Sequence, residues 1–405
     1  MKRIQAYRFE LRPNNKQQRL MRQFAGCCRY VYNKALELQI QRYESGEKKL
    51  GYAELCKLLT EWRNNPDLAW LKEAPAHPLQ QKLKDLERAY QNFFQKRANF
   101  PQKKKRGLSD AFRYPDPKQI KLDEENNRVF LPKLGWIKYR NSRNTAGAIK
   151  NATVSLSADK WFVSIQTERE VPNPIPTATT AIGIDMGIVN FATMSDGSYL
   201  EPLNSFKKHE KRLAKYQRAM SRKQKFSNNW KKAKSKVSKL HSKIASVRRD
   251  YLHKSSTAIS KNHAMVCIED LKVKQMTRSK KGTKEAHERG VKAKSKLNKA
   301  ILDQGWFEFR RQLEYKLSWN GGLFIAVPPK NTSRMCHKCG HTQKENRITQ
   351  AKFHCMACGY TDNADRNAAL NILAAGTAAL ACGDHVRPNS IRSEAMVDET
   401  RISSV

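Results

Sequence analysis

The stretch Met335–Asn371, MCHKCGHTQKENRITQAKFHCMACGYTDNADRNAALN, decides how the rest of the chain is read. Two C-x2-C pairs, Cys336/Cys339 and Cys355/Cys358, stand fifteen residues apart, and Asp365 follows Cys358 by seven. A C-x2-C turn lets two thiolates converge on one metal ion, and a second turn completes a tetrahedral shell. Four soft thiolates in a closed shell favour zinc. They also make it structural, because a catalytic zinc keeps one position open for water. Two disulfides, or four unrelated cysteines, are the alternatives, and the paired spacing argues against both. One zinc ion is therefore expected to hold a small knuckle, with the chemistry elsewhere.

Working outward, composition narrows the partners. The 405 residues carry 78 Lys and Arg against 37 Asp and Glu, a formal net charge of +41. A basic excess of that size calls for a polyanion, and nucleic acid is the common one. An anionic membrane surface is the rival. No apolar run is long enough to span a bilayer, and MKRIQAYRFELRPNN at the start offers no apolar signal core. Nine cysteines, five of them outside the knuckle, read as reduced thiols. The expected place is the cytoplasm, on nucleic acid and not on a membrane.

Residues 3–11 alternate apolar and polar and read as a strand. Asn14 or Asn15 caps a helix to about Tyr43, a shorter helix covers Tyr52 to Trp62, and another runs from Leu79 to about Ala98. On that third helix Leu83, Leu86, Tyr90, Phe93 and Phe94 stand at core spacing, which favours a core role over base stacking. It leads into a loop with four consecutive basic residues, Lys103, Lys104, Lys105 and Arg106, expected along a phosphate backbone. From Ala111 to Val171 short strands alternate with turn signals and predict a small β-domain, a barrel completed by the N-terminal strand. The segment PNPIPTATT, residues 172–180, reads as a linker.

The second half opens with AIGIDMGIVNFATMSDG, a buried strand ending in Asp185, followed by a return strand to the Asp196-Gly197 turn. Residues 205–262 predict a basic helical hairpin with a break near Ser227–Asn229. Its nearly acid-free surface favours phosphate contact. A strand over Ala264–Ile268 places Glu269 at its edge, and residues 274–296 read as a basic loop beside the site. A helix from Ser295 to about Asn320, capped by Gly321-Gly322, precedes the strand LFIAVPP. After Asp365 an alanine-rich helix packs back, and the tail from Gly383 to Val405 reads as disordered.

Three acids thus stand at comparable places, Asp185 and Glu269 at strand ends and Asp365 at a helix start. Carboxylates from separate segments can hold two Mg²⁺ ions for phosphodiester hydrolysis. Spacing alone leaves local roles equally open: a turn aspartate, a strand-end glutamate and a helix cap.

The ordered set GIDMGIVNFATMSDG, VCIEDL, NTSRMCHKCG and CMACGYTDNADRNAALNIL resembles TnpB (OrfB), encoded by insertion sequences and related to type V CRISPR effectors. The resemblance covers the chain to about residue 375. It implies an α+β multidomain protein with an N-terminal wedge-like β-barrel (1–13 and 108–172) and an inserted helical recognition lobe (14–107). A C-terminal RuvC-like nuclease of RNase H fold (180–330 and 361–380) would be interrupted by a four-cysteine zinc-knuckle insert (331–360) that binds target nucleic acid. It puts Asp185, Glu269 and Asp365 in the Mg²⁺-binding catalytic triad. Asp365 is preferred to Asp362 because it stands two residues before Asn367 in a D-x-N-x-A-x-N pattern; relatives often carry an acid where this chain has Asn363. The implied activity is an Mg²⁺-dependent, RNA-guided DNA endonuclease, a monomer on the bacterial nucleoid. Its guide RNA comes from the element's end, and it reads a short motif beside the double-stranded target. A transposase acting on element ends and a non-cleaving RNA-guided binding protein are the alternatives. The basic lobe shows no evident helix-turn-helix for the first, and the three acids speak against the second.

Overall fold

The computed structural model describes residues 1–108, 110–280 and 290–382, which divide into two compact units, Met1–Pro172 and Asn173 onward.

The first unit begins with strand β1 (Lys2–Arg12), whose buried Tyr7, Phe9 and Leu11 alternate with more exposed residues. Helix α1 (Asn15–Glu44) follows. The Asn14 side chain accepts from the Gln17 amide, and the Gln17 side chain accepts from the Asn14 amide, a reciprocal capping box. Helix α2 (Tyr52–Asn64) packs on α3 (Ala76–Phe94), and α3 on α1, over a core that includes Phe24, Val31, Leu55, Leu83 and Leu86. Six strands come next: β2 (Ala111–Tyr114), β3 (Lys121–Asp123), β4 (Arg128–Leu131), β5 (Gly135–Tyr139), β6 (Ala148–Ser157) and β7 (Lys160–Glu170). They join β1 in one antiparallel sheet of order β2-β6-β7-β1-β5-β4-β3. The N-terminal strand is thus central to the sheet, and the order has two ends, β2 and β3, unpaired with each other.

Two expectations for α3 are corrected. The helix stops at Phe94, short of Ala98, because Lys96 takes a left-handed φ of 57°, a conformation that helical periodicity does not reveal. Tyr90 is buried as core spacing requires, but Phe94 is 65% exposed, past the point where the helix faces the core.

In the second unit β8 (Ala181–Asp185) turns back into β9 (Ala192–Met194) and β10 (Tyr199–Leu200). Helices α4 (Ser205–Ser221) and α5 (Asn228–Asn262) pair through Leu213, Val237, Leu240 and Ile244, with the break capped by Ser227. Strand β11 (Met265–Glu269) runs parallel to β8, and the short α6 (Val273–Met276) follows. The loop expected over 274–296 is shorter than predicted: residues 281–289 lie outside the described residues, and α7 (Val291–Gln304) has already begun. The single helix expected from Ser295 to Asn320 is two, α7 and α8 (Trp306–Trp319), separated by Gly305 at φ +74°. One left-handed glycine breaks the ladder without disturbing the apolar spacing. Strand β12 (Leu323–Val327) completes the sheet β10-β9-β8-β11-β12, in which β8, β11 and β12 are parallel. A small hairpin, β13 (Lys352–His354) with β14 (Thr361–Asn363), leads into α9 (Ala364–Ala381). The expected tail from Gly383 lies outside the described residues.

The two faces of this sheet are covered differently. Ile182, Ile184, Val266 and Ile268 point into a core with Leu252, Ile259, Phe309 and Leu313 of α5 and α8. Gly183 and Cys267, one residue out of phase, face α9.

Candidate active site

Asp185 and Glu269 leave the sheet at the carboxyl ends of neighbouring parallel strands. The ladder pairs Ile184 with Ile268, so each acid follows its partner's register mate by one residue. Crevices of this kind, at the carboxyl ends of adjacent strands in an open sheet, are where α/β folds gather ligands. Asp365 comes from another direction. Asn363 caps α9, its side-chain oxygen accepting from the amides of Asp365 (2.9 Å) and Arg366 (3.2 Å). That fixes Asp365 in the helix's first turn, where the positive end of the helix dipole favours a carboxylate.

Helix α9 reaches the strands because glycines leave it room. A Cβ built on Gly183 would lie 2.1 Å from the Ala369 carbonyl oxygen, and one on Gly376 would lie 2.2 Å from the Cys267 sulfur. Gly187, two residues past Asp185 in the chain, makes its close approach locally, against the Asn190 carbonyl oxygen in its own loop.

All three acids line one cavity of about 290 Å³, together with Thr332, Arg347 and Gln350. Their carboxylates face a common space without the tight mutual spacing of the four cysteines. Burial, reinforced by the charges of Glu269 and Asp365, pushes Asp185 up to about 7, against the opposing pull of Arg347. Burial also raises Glu269, moderated by a hydrogen bond from the Thr332 hydroxyl. Asp365 is raised by burial and restrained by the Arg347 guanidinium, which donates to it at 3.2 Å. Three carboxylates against one guanidinium leave an excess of negative charge that hard cations with oxygen preference would neutralise. Asp362 lies elsewhere. It pairs with Arg366 at 3.2 Å and accepts from the Tyr360 hydroxyl at 2.5 Å.

Among the described residues, Cys336, Cys339, Cys355 and Cys358 form a cluster whose sulfurs all lie within 4.8 Å of one another. The Cys336–Cys358 and Cys339–Cys355 separations are 3.7 and 3.5 Å, too long for disulfides. They match the edge of a tetrahedron with metal–sulfur bonds of about 2.3 Å, roughly 3.8 Å. The two halves are built alike: Gly340 and Gly359 donate their amides to the carbonyls of Cys336 and Cys355, at φ +76° and +68°. Buried Asn346 joins them, donating to the carbonyls of Arg334 and His341 and accepting from the Met356 amide. The cluster fits zinc.

The sequence assigns no role to Thr332 or Arg347, although both fall inside the quoted stretches, because they reach the cavity only through the knuckle's fold. Asn367 and Asn371 belong to the D-x-N-x-A-x-N pattern, and the fold gives them a role. They stand four apart on one face of α9, both buried; Asn367 donates to the Met335 carbonyl and Asn371 to those of Thr332 and Met335. The Asn367 side-chain oxygen also accepts from the His337 amide at 3.0 Å. The pattern staples the knuckle to the helix that carries Asp365.

The basic run is less free than expected. Lys103 pairs with Glu37 at 3.3 Å, Lys104 lies 4.0 Å from the centre of the Tyr32 ring, and Asn33 holds the Lys104 backbone through both its amide and its carbonyl.

A family profile described as "Probable transposase" matches residues 164–280, and one described as "Cas12f1-like, TNB domain" matches residues 306–372. A third, described as "Helix-turn-helix domain", matches residues 1–48, a span that here holds β1 and the single unbroken helix α1. The chain is 58% identical over 387 residues to "Putative RNA-guided DNA endonuclease InsQ" of Escherichia coli (strain K12), covering 96% of each. A second relative, "Putative RNA-guided DNA endonuclease" of Streptomyces pristinaespiralis, is 35% identical over 95% of this chain and 92% of that one. "CRISPR-associated endodeoxyribonuclease Cas12f1" of Sulfoacidibacillus thermotolerans shares 44% identity over 71 residues, 17% of each chain. With relatives this similar along their whole length, the chain belongs to the TnpB/OrfB family of insertion-sequence-encoded RNA-guided nucleases.

Proposed function

We propose that this protein is an RNA-guided DNA endonuclease in which Asp185, Glu269 and Asp365 hold two magnesium ions for hydrolysis of target-DNA phosphodiesters. The observation that carries the reading is the convergence of three carboxylates, from segments 84 and 96 residues apart, on one cavity with a single guanidinium. When bound, magnesium would activate the attacking water and stabilise the leaving 3′-oxygen. The chain's own residues prepare that site. Strands β8 and β11 fix two carboxylates side by side, the Thr332 hydroxyl holds Glu269, and Arg347 supplies the cation beside Asp365. Zinc at the four cysteines is structural, since the closed thiolate shell leaves no position for water.

The remaining assignments follow the same reading. Residues 1–13 and 108–172 form a wedge-like β-domain, 14–107 a recognition lobe, 180–330 with 361–380 a RuvC-like nuclease, and 331–360 the knuckle insert. The mixed sheet flanked by helices supports the third of these. The charge of +41 suits a protein that grips the backbones of a guide RNA and a guide–target heteroduplex, leaving sequence to base pairing and to a short motif in the flanking duplex. The relatives' names support guide RNA and DNA as partners. No described helix is long and apolar enough to cross a membrane, and the proposed setting is the bacterial nucleoid, with a monomer as the working unit.

The test is to purify the protein with the transcript flanking its gene and supply Mg²⁺ and a guide-matched plasmid library with randomised flanks. Guide-dependent cleavage that disappears in Asp185→Ala is expected, and the cleaved pool reveals the flanking motif. Guide-dependent binding without cleavage would mean a targeting protein. Binding to element ends without RNA would favour a transposase, the reading to which one family description points.

A further inference from the structure

The first unit contains a cleft of about 710 Å³ over the α1 face that carries Gly26, Tyr30 and Lys34, closed on one side by Trp70 and on another by Lys103. Its size lies within the range of small-molecule sites. Tyr30 and Trp70 meet edge to face with centroids 4.9 Å apart, and Trp70 keeps 36% of its surface exposed. The Lys34 ammonium stands 5.8 Å from the Tyr30 ring centre and 5.2 Å from that of Trp62, so its charge overlooks an aromatic floor. Gly26 lines the cleft, and a Cβ built there would meet only the tip of the Arg29 side chain, at 3.8 Å. The wall formed by Lys103 is anchored, because Asn33 clamps the adjoining Lys104 backbone to α1.

We infer that this cleft takes one unpaired nucleotide, its base stacked on the exposed Trp70 with Tyr30 at its edge and its phosphate held by Lys34 and Lys103. An exposed tryptophan and tyrosine beside lysines is the chemistry by which single-stranded nucleic acid is held without sequence preference. A paired base cannot enter, since its faces are covered by its neighbours in the stack. Three acids stand against the phosphate, and none excludes it: Glu73 is occupied by the side-chain amide of Gln23, which lines the cleft. Asp110 is taken by Arg29 at 3.0 Å, and Glu37 pairs with Lys103 in a half-exposed contact weak enough for a phosphate to replace. The inference rests on the nucleic-acid-binding part of the proposed function and is independent of the nuclease chemistry.

The experiment uses the full chain and short fluorescein-labelled single strands, one RNA and one DNA, at salt high enough to suppress binding to the backbone alone. Trp70→Ala should weaken binding by about 10-fold or more, with Trp70→Phe retaining most of the affinity. Lys34→Ala should weaken binding and lower the slope of log affinity against log salt by about one. Trp136→Ala, at a comparably exposed tryptophan on β5, should leave it unchanged. Photocrosslinking with 5-iodouridine, read by peptide mass spectrometry, should label Trp70 or Tyr30 and keeps the test open should Trp70→Ala not fold. Preference for RNA would assign the cleft to the guide and preference for DNA to a displaced strand; either supports it. Unchanged affinity in Trp70→Ala and Lys34→Ala, with crosslinks elsewhere, overturns the cleft alone. A native chain that binds neither strand overturns the guide reading and the cleft with it.

Discussion

Gly183→Ala is the substitution that best tests how the candidate site is assembled. The added Cβ would lie 2.1 Å from the Ala369 carbonyl oxygen, 2.7 Å from the Leu373 amide nitrogen and 2.8 Å from the Leu373 Cβ. Even the tight limit of 3.0 Å requires a retreat of about 0.9 Å from the carbonyl (3.0 minus 2.1). The two nearest atoms are backbone of α9, so no rotamer change relieves the clash, and the helix itself must move. Overpacking of this kind costs about 1–3 kcal/mol, and each kcal/mol lowers the melting temperature by roughly 2–4 °C in a unit of this size. Asp365 stands one turn before Ala369 on the moving helix. A displacement of about 1 Å at a reacting centre costs on the order of 100-fold in rate. Gly183→Ala should therefore lose cleavage of a guide-matched plasmid by about that factor while keeping its zinc. Gly376→Ala provides the control, since its added Cβ meets the Cys267 sulfur at 2.2 Å but the Cys267 Cβ only at 3.0 Å. Trimming that sulfur in Gly376→Ala/Cys267→Ala should restore much of the loss, whereas no side-chain trimming should rescue Gly183→Ala. Wild-type melting and cleavage in Gly183→Ala would refute the reasoning.

Other outcomes follow from the electrostatics and the knuckle. Asp185 has a folded pKa of about 7, above its unfolded value of about 3.9, so its contribution to stability is fully present below pH 4 and lost as pH rises through 7. Magnesium-free protein that keeps its zinc should lose on the order of 1–3 kcal/mol between about pH 5 and pH 8 by denaturant titration, Mg²⁺ should abolish that trend, and Asp185→Asn should flatten it. Thr332→Val removes the hydroxyl that favours ionised Glu269 and should raise the Mg²⁺ needed for half-maximal cleavage by about 10-fold or more, with little change in melting. Arg347→Ala should raise the Asp365 pKa, measurable by ¹³C NMR titration of the side-chain carboxyl, because its charge and hydrogen bond both hold that pKa down. Native mass spectrometry should find one zinc per chain. Chelation should deprotect the amides of residues 336–359 to hydrogen exchange while the first unit's sheet stays protected.

Much of the second unit was legible because its signals are local. A β-branched strand ending in an acid, the Asp-Gly turn and the doubled C-x2-C each announce themselves within a few residues, and Asp185, Glu269 and Asp365 could be singled out before any coordinate was known. What escaped depends on distance or on single backbone angles. The close approach of α9 is written in Gly183 and Gly376, but neither glycine says which partner it admits. Lys96 and Gly305 end helices through left-handed φ values that apolar periodicity passes over. Phe94 kept the core spacing and still came out exposed, since spacing reports a face and not where that face stops being covered. Arg347 carries no motif, because its role exists only once the knuckle is closed.

That dependence explains the position of the knuckle in the chain. It is inserted between β12 and α9, so the segment entering it supplies Thr332 to Glu269 and its interior supplies Arg347 to Asp365. Asn367 and Asn371 tie the entry to the same helix that presents Asp365, and Asn346 ties the entry to the second cysteine pair. Zinc, asparagines and arginine form one connected support around a cavity whose carboxylates come mostly from the sheet. Loss of zinc should therefore leave Asp185 and Glu269 in place and remove the two groups that moderate the cavity's charge, the Arg347 guanidinium and the Thr332 hydroxyl. Cys355→Ser should accordingly resemble Arg347→Ala combined with Thr332→Val in its effect on cleavage and on Mg²⁺ requirement. A triple variant no worse than Cys355→Ser would establish that the structural metal acts on the site through these two side chains. A triple variant much worse would mean that they act without it.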